Sequence, residues 1–195
     1  MRGDLRWQDY LVTDGRGFGG MHKVAPGTPP NLALSLFGVN GLTAYFGMIE
    51  IGKIKAGETV LVSAAAGATG SVGGQIAKIK GCRVIGTAGG TYKCDWLVNE
   101  AHFDAASDYK KEDIGAWLSE LCPNGIDVFF DNVGGEVLNE VLARINVNAR
   151  IVLCGSKLES RNRHAAARPG RTSTGSLTVT KAVGSATMYA GPETR

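Results

Sequence analysis

The hydrophobic positions of this chain form short continuous runs that alternate with stretches of helical spacing. Five runs rich in apolar residues predict strands, and their continuity is typical of strands buried on both faces. These runs lie at residues 60–63, 83–86, 103–106, 127–130 and 150–154. Apolar periodicity between them predicts helices at about 71–80, 91–99, 110–121 and 136–145. This alternation predicts an α/β fold, with a doubly wound parallel sheet covered by helices on both faces.

The segments that flank this region differ in composition. Residues 12–31 are rich in Gly and Pro and predict a loop, and helical spacing from Leu42 to Ile49 predicts a helix before the first strand. After Gly155 the chain contains no Ile, Phe or Trp. Such a segment buries too little apolar surface to offset its ordering entropy, so we predict that most of it is disordered. A short strand at "SLTVT" is the alternative for its middle part.

The sequence therefore divides into three parts. We predict a lead-in over residues 1–36, a packed domain over residues 37–156 and a basic low-complexity tail over residues 157–195. The tail holds seven Lys or Arg and two Asp or Glu, so it carries +5 while the first 156 residues carry −2 of the total +3. Because the body has no net basic charge, it gives no indication of a nucleic-acid surface.

The cysteines and histidines do not form a recognisable ligand set. The four cysteines are far apart with no C-x-x-C pair, and there are only three histidines, so we predict no metal site and free thiols. The N-terminal "MRGDLRWQDYLV" has charges where a signal peptide needs an apolar core, and no apolar run is long enough to span a membrane. These features predict a cytoplasmic protein without a membrane partner.

A glycine-rich turn, "AAAGATGSV" at residues 64–72, follows the first predicted strand. It lacks the Gly-Lys of a Walker A loop. It also lacks the last glycine of the short-chain dehydrogenase pattern, and no tyrosine has a lysine four residues later. The remaining match is G-x-G-x-x-G with alanine in first place, at Ala65, Gly67 and Gly70. Gly67 would let the backbone approach a pyrophosphate, and Gly70 would let the helix pack closely, which predicts a Rossmann-type dinucleotide site. A tight turn without a ligand is the alternative.

The end of the second strand indicates which dinucleotide is bound. An NAD site usually has an Asp or Glu about 20 residues past the glycines, where it holds the ribose 2′-hydroxyl. Here the corresponding "IGTAGGTYK" contains no acid and ends on Lys93. The missing acid and the added cation favour NADP(H) over NAD(H), although Lys93 could also be an ordinary solvated lysine.

These motifs together resemble one family. "GLTAYFGMIEIGKIKAGETVLVSAAAGATGSVGGQIAKIKGCRVIGTAGG", followed by "KCDWL" and "GIDVFFDNVGG", is similar to the zinc-independent medium-chain dehydrogenase/reductases. The similarity is to their prostaglandin reductase, leukotriene B4 dehydrogenase, curcumin reductase and plant alkenal double-bond reductase branch. It covers roughly residues 7–155 and implies NADPH-dependent reduction of the carbon–carbon double bond of α,β-unsaturated carbonyl compounds.

The resemblance implies a set of cofactor-binding residues. The pyrophosphate loop would be Gly67, Ala68, Thr69 and Gly70, with Ser71 and Val72 at the start of the helix. The adenosine 2′-phosphate would meet Lys93, and Tyr109 would be a second contact on the adenosine side. Thr43 would lie near the nicotinamide, and Cys154 and Gly155 would close the fifth strand against the cofactor. Asn132 would lie at the carboxyl edge where such sheets bind ligands, with a simple turn as the alternative, and Tyr45 is expected in the core. No catalytic residue is assigned.

The chain also departs from the family pattern. Family members carry an N-terminal substrate domain before "WQDY", a tyrosine-containing loop after "CG" and a last strand in the nucleotide sheet, and we expect this chain to lack all three. His102 stands where the family usually has glycine. The expectation is an incomplete Rossmann domain whose open sheet edge favours association, with a homodimer as the expected form. Its activity would be weak or absent, and the alternatives are a non-catalytic NADP(H)-binding module, a partner of a full-length reductase, or an interaction protein acting through the tail.

Overall fold

The computed structural model describes Val12, Asp14, residues 23–155 and residues 178–181. The helical elements are α1 (Pro30–Leu34), α2 (Val39–Tyr45), a π-helix (Phe46–Ile51), α3 (Ala68–Ile79), α4 (Thr91–Asn99), α5 (Ile114–Leu121) and α6 (Gly135–Leu142). The strands are β1 (Thr59–Val62), β2 (Arg83–Ala88), β3 (Ala105–Asp108), β4 (Ile126–Asp131), β5 (Ile145–Leu153) and β6 (Thr178–Lys181). The predicted alternation of strands and helices is confirmed.

All strand pairs in the sheet are parallel, in the order β3-β2-β1-β4-β5-β6. This is the strand order of a doubly wound nucleotide-binding fold, so the predicted α/β architecture is confirmed. The strand order reverses between β1 and β4, because the chain leaves β3 at one edge and returns to the other side of β1. Val60 of β1 pairs with Val84 on one side and with Val128 on the other.

The expectation that the sheet lacks its last strand is wrong. Residues 178–181 pair in parallel with β5, from Arg150 with Thr178 to Leu153 with Lys181. The expectation rested on the overall composition of residues 157–195, which is poor in large apolar residues. The local sequence differs, because three successive β-branched residues at 178–180 favour an extended backbone. Pairing also satisfies the N–H and C=O groups that β5 would otherwise present at an open edge. The predicted disorder of residues 156–177 and 182–195 concerns residues outside the described part.

Side chains alternate along each strand to form two cores. On one face, Val60, Val62 and Phe130 pack with residues of α3, α4 and the π-helix. On the other face, Leu61 and Phe129 pack with residues of α5 and α6. Because both faces are covered, β1, β2 and β4 are buried almost throughout, which accounts for their mainly apolar sequences. Among the described residues, no helix is long and apolar enough to cross a membrane.

Two features of the first segment differ from the sequence-based expectation. Pro30 begins a short helix where a loop was predicted, and its missing N–H costs little at the first helical position. Tyr45 was expected in the core, but it is 48% exposed, since the buried face of α2 consists of Gly41 and Ala44. These small residues let α2 lie close to its neighbours and leave the larger side chains on the outside.

Candidate functional site

The glycine-rich turn joins β1 to α3 at the carboxyl edge of the sheet. The N–H of Ala65 donates to Thr87 O at 2.8 Å, so the turn is fastened to the end of β2. Gly67 is the N-cap residue of α3, and no side chain caps this helix. Gly67 and Ala68 are exposed. The first-turn N–H groups of α3, which lack intrahelical acceptors, therefore open onto the carboxyl edge, where an anion would meet the positive end of the helix dipole.

Glycine is required by close packing within this turn. A Cβ at Gly70 would lie 2.5 Å from the carbonyl oxygen of Ala64 and 3.0 Å from Ala65 Cα. A Cβ at Gly67 would lie 3.0 Å from the same carbonyl oxygen. Ala64 itself has φ 47°, a left-handed conformation that is unfavourable for alanine. The close helix-to-turn approach expected at Gly70 is present, and it depends on backbone atoms that cannot move aside easily.

The other predicted residues of α3 lie in its first turns. Thr69 is half-buried, and its hydroxyl donates to Asn40 Oδ1 at 3.0 Å, which fastens α2 to the beginning of α3. Ser71 and Val72 are half-buried on the same helix. Thr43 is half-buried on α2. The Thr69 hydrogen bond therefore brings the element that carries Thr43 to the edge of the glycine-rich turn.

The ends of β2 and β3 meet around the turn Gly89–Gly90. Asp108 Oδ1 accepts hydrogen bonds from Gly90 N at 2.9 Å and from Lys110 N at 3.2 Å. The bond from Gly90 is the main cause that holds the pKa of Asp108 below its ordinary value. A Cβ at Gly89 would lie 3.0 Å from both Tyr109 Oη and Lys110 Cε, so these two side chains lie over the turn.

Further cations surround the same turn. Lys93 is exposed in the first turn of α4, and its N–H donates to Gly90 O at 3.0 Å. Lys111 Nζ donates to Thr91 Oγ1 at 3.1 Å. Together with Tyr109 and Lys110, these residues present positive charge and hydrogen-bond donors beside the end of β2, an arrangement suited to a phosphate.

The crevice between β1 and β4 lies at the point where the strand order reverses. Asn132 follows β4, and its Nδ2 donates to Ser63 O at 2.7 Å, while its N–H donates to Ser63 Oγ at 2.8 Å. The Ser63 hydroxyl in turn donates to Asp131 Oδ1 at 2.9 Å. Open parallel sheets bind ligands in this crevice, outside the carboxyl ends of the strands.

The end of β5 joins the same group of residues. The N–H groups of Cys154 and Gly155 donate to Asp131 O at 2.8 and 3.1 Å. Burial, and secondly the charge of Asp131, raises the pKa of the Cys154 thiol to about 11. The thiol is therefore protonated at neutral pH and is a poor nucleophile. The structure thus brings Asn132, Cys154 and Gly155 together, on the opposite side of β1 from Lys93 and Tyr109.

Comparison with known proteins identifies the family. Residues 68–190 match the family model described as zinc-binding dehydrogenase. The chain belongs to this family. It is 42% identical over 151 residues to the NADPH-dependent curcumin reductase of Escherichia coli, covering 76% of this chain and 43% of that protein. It is 45% identical over 168 residues to prostaglandin reductase 1 of Rattus norvegicus, covering 85% of this chain and 50% of that protein.

A solved structure shows the same relationship. The structure of CurA from Vibrio vulnificus in complex with NADPH matches with a TM-score of 0.77 and 40% identity, covering 90% of this chain and 53% of that one. The resemblance to the prostaglandin reductase and curcumin reductase branch of the medium-chain dehydrogenase/reductases is confirmed. The chain spans about half the length of the relatives it matches.

The family match bears on the C-terminal part of the chain and on metal binding. The family model continues to residue 190, so the prediction that similarity ends at Gly155 is wrong. Among the described residues there is no group of three or more His, Cys, Asp or Glu that could hold a metal ion.

The sequence analysis missed three polar residues of the site. Ser63, Asp108 and Asp131 are buried, and each follows or ends an apolar strand at the carboxyl edge of the sheet. For Ser63 and Asp131, a hydroxyl or charged side chain directly after an apolar run was the available signal, whereas Asp108 follows Ser107 and lacks it. The meaning of this signal depended on strand order, because only the folded sheet brings Ser63 and Asp131 together.

Proposed function

We propose that this chain binds NADP(H) across the carboxyl edge of its sheet and serves hydride transfer to the carbon–carbon double bond of α,β-unsaturated carbonyl compounds. The observation that carries this proposal is the uncapped N-terminus of α3, which opens beside a turn that only glycine permits at Gly70. The proposed domain for the cofactor is residues 37–156, and β6 extends its sheet. The names of the relatives, which include a curcumin reductase and a prostaglandin reductase, support the substrate class.

The proposed cofactor contacts follow the two halves of the sheet. The residues assigned to the pyrophosphate are Gly67, Ala68, Thr69, Gly70, Ser71 and Val72. On the adenosine side, Lys93 and Tyr109 would hold the 2′-phosphate. On the other side of β1, Thr43, Asn132, Cys154 and Gly155 would border the nicotinamide. This arrangement agrees with the general rule that each half of a doubly wound sheet binds one nucleotide.

The selectivity for NADP(H) rests on the ends of β2 and β3. The β2 strand ends at Ala88 and is followed by glycines, so it offers no carboxylate to a ribose 2′-hydroxyl. Asp108 at the end of β3 is only 5% exposed, and its Oδ1 is occupied by two backbone N–H groups. The side chains that reach the surface here include Lys93, Tyr109 and Lys110. Their charge favours a 2′-phosphate over a hydroxyl group.

In the proposed reaction the bound cofactor supplies the hydride, and the protein supplies binding and orientation. The residues of the crevice would fix the nicotinamide face, and Cys154 would remain a neutral thiol beside it. We propose that these 195 residues turn over weakly or not at all by themselves. The second candidate function is therefore a non-catalytic NADP(H)-binding module that acts with a full-length reductase.

Association with another chain is part of the proposal. The segment from α1 to the π-helix exposes large apolar side chains, among them Leu34 at 66%, Phe37 at 58% and Val39 at 64%. Exposed apolar surface of this kind is typical of a face that another domain or subunit covers. We propose that the chain is cytoplasmic and forms a homodimer. Sedimentation of the full chain tests the dimer, and a monomer at all concentrations would contradict it.

Fluorescence titration with NADPH and NADH, followed by an assay of enone reduction, tests the proposed function. We expect tighter binding of NADPH than of NADH. Turnover of an α,β-unsaturated ketone would favour the reductase, whereas NADPH binding without turnover would favour the module. Failure to bind either dinucleotide would contradict both.

The variant Lys93→Glu tests the selectivity. We expect its NADPH dissociation constant to rise about ten- to a hundredfold, the range for a lost hydrogen bond between charged groups, with little change for NADH. Lys80→Glu is the matched control, because Lys80 is an exposed lysine at the far end of α3 and its reversal changes the net charge equally. Equal effects of the two variants would show that Lys93 is an ordinary surface lysine.

A further inference from the structure

Ser63 occupies a central position in the crevice between β1 and β4. It is fully buried, and it directly follows β1 where that strand leads into the glycine-rich turn. Its N–H donates to Phe130 O at 3.1 Å, which continues the ladder between β1 and β4. Its hydroxyl and its carbonyl oxygen therefore sit at the bottom of the crevice, below the turn that carries Asn132.

Asn132 is held by both oxygen atoms of Ser63. The backbone N–H of Asn132 donates to Ser63 Oγ at 2.8 Å, and the side-chain Nδ2 donates to Ser63 O at 2.7 Å. The Ser63 hydroxyl can accept the first bond in this direction because its own proton is donated to Asp131 Oδ1 at 2.9 Å. The side-chain amide of Asn132 is thus fixed in position and orientation before any ligand arrives.

Asp131 anchors the network. It is fully buried, and its Oδ1 accepts not only from Ser63 but also from Val133 N at 3.0 Å and Gly134 N at 2.8 Å. These two bonds fold the turn after β4 back over the end of the strand. Asp131 Oδ2 is buried without a hydrogen-bond partner among the described residues, so the carboxylate is held through Oδ1 alone. Loss of one of its three donors therefore loosens the turn.

We infer that Ser63 is a positioning residue, which acts through Asn132 to set the nicotinamide half of the cofactor. This inference rests on the proposed function, because it assumes that NADP(H) lies across the crevice. Ser63 and Asn132 lie on the β4 side of the glycine-rich turn, away from the adenosine side at β2 and β3. The effect of Ser63 is therefore confined to the half of the ligand that carries the nicotinamide.

A double-mutant cycle on the full chain tests this inference. The variants are Ser63→Ala, Asn132→Ala and the double variant, and the two probes are NADPH and adenosine 2′,5′-bisphosphate, which contains the adenosine half alone. We expect Ser63→Ala to raise the dissociation constant of NADPH about three- to tenfold, which is the effect of one hydrogen bond. The dissociation constant of the bisphosphate should stay within about twofold of the wild-type value. In the Asn132→Ala background, Ser63→Ala should produce no further loss of NADPH affinity.

Ser107→Ala is the matched control. Ser107 is also fully buried near the carboxyl end of a strand, but its hydroxyl has no hydrogen-bond partner among the described residues, and it lies on the adenosine side. We expect it to leave the ratio of the two affinities unchanged.

Three results would overturn the inference. Unchanged NADPH affinity in Ser63→Ala would remove any role for the hydroxyl. Equal weakening of both probes would indicate a general structural role, and additive losses in the double variant would show that Ser63 does not act through Asn132. If the wild-type chain bound neither probe, both the proposed function and this inference would fail. Each of the three results above is obtained with a wild-type chain that binds both probes, so it would contradict the inference alone.

Discussion

Replacing His102 with glycine is expected to stabilise the protein. His102 lies between α4 and β3 with φ 58°, in the left-handed region. This conformation costs an L-residue about 1–2 kcal/mol, and we take the lower end because histidine is among the residues that tolerate it best. Glycine adopts it without strain but loses about 0.5–1 kcal/mol more backbone entropy on folding. The imidazole is exposed and makes no hydrogen bond within the described part, so its removal costs little.

The net gain for His102→Gly is therefore at most about 0.5 kcal/mol, which corresponds to a rise in Tm of at most about 1–2 °C for a chain of this size. Urea unfolding with a shared m-value would measure it as a shift of the midpoint. His102→Ala is the matched control, because it removes the imidazole but keeps the Cβ that causes the strain. We expect the alanine variant to be no more stable than the wild type. Equal stabilisation by alanine and glycine would refute the explanation by backbone strain.

Two further predictions concern the site. Gly70→Ala places a methyl group 2.5 Å from a backbone carbonyl oxygen, so we expect a loss of about 1–3 kcal/mol in urea unfolding and weaker NADPH binding; an unchanged affinity would mean that the turn can widen. The raised pKa of Cys154 makes a contribution to stability that is fully present below pH 9.0 and is lost as the pH rises to about 11, because the unfolded chain ionises first. Between these pH values the free energy of unfolding should therefore fall less for Cys154→Ala than for the wild type. Iodoacetamide should also label Cys154 more slowly in the folded chain than in the chain unfolded by urea.

Local patterns were sufficient to predict the central architecture. Apolar runs such as residues 60–62 indicate strands buried on both faces, and the helical periodicity between such runs indicates parallel connections. The glycine-rich turn was likewise readable, since the spacing of Gly67 and Gly70 reflects contacts within a few residues of the chain. These features depend on neighbours close in sequence, and the sequence therefore carries them directly.

Other features depended on the environment that the fold creates. The residue type of Tyr45 predicted a position in the core, but the small residues Gly41 and Ala44 form the buried face of its helix. The strand predicted at 103–106 is β3 at Ala105–Asp108 in the structure. Phe103, which was expected in the strand, packs into the core before the strand begins. Neither outcome can be read from residue type alone, since burial is decided by partners distant in the chain.

The sequence by itself determined the alternating strands and helices, the glycine-rich turn and the lack of an acid after β2. Only the tertiary structure decided that residues 178–181 complete the sheet and that Ser63, Asp131 and Asn132 form one network. Ser63 and Asp131 are 68 positions apart, and their bond exists because β1 and β4 are neighbours in the sheet. Periodicity encodes which face of an element is buried, whereas the order of the strands decides which polar side chains meet at the edge.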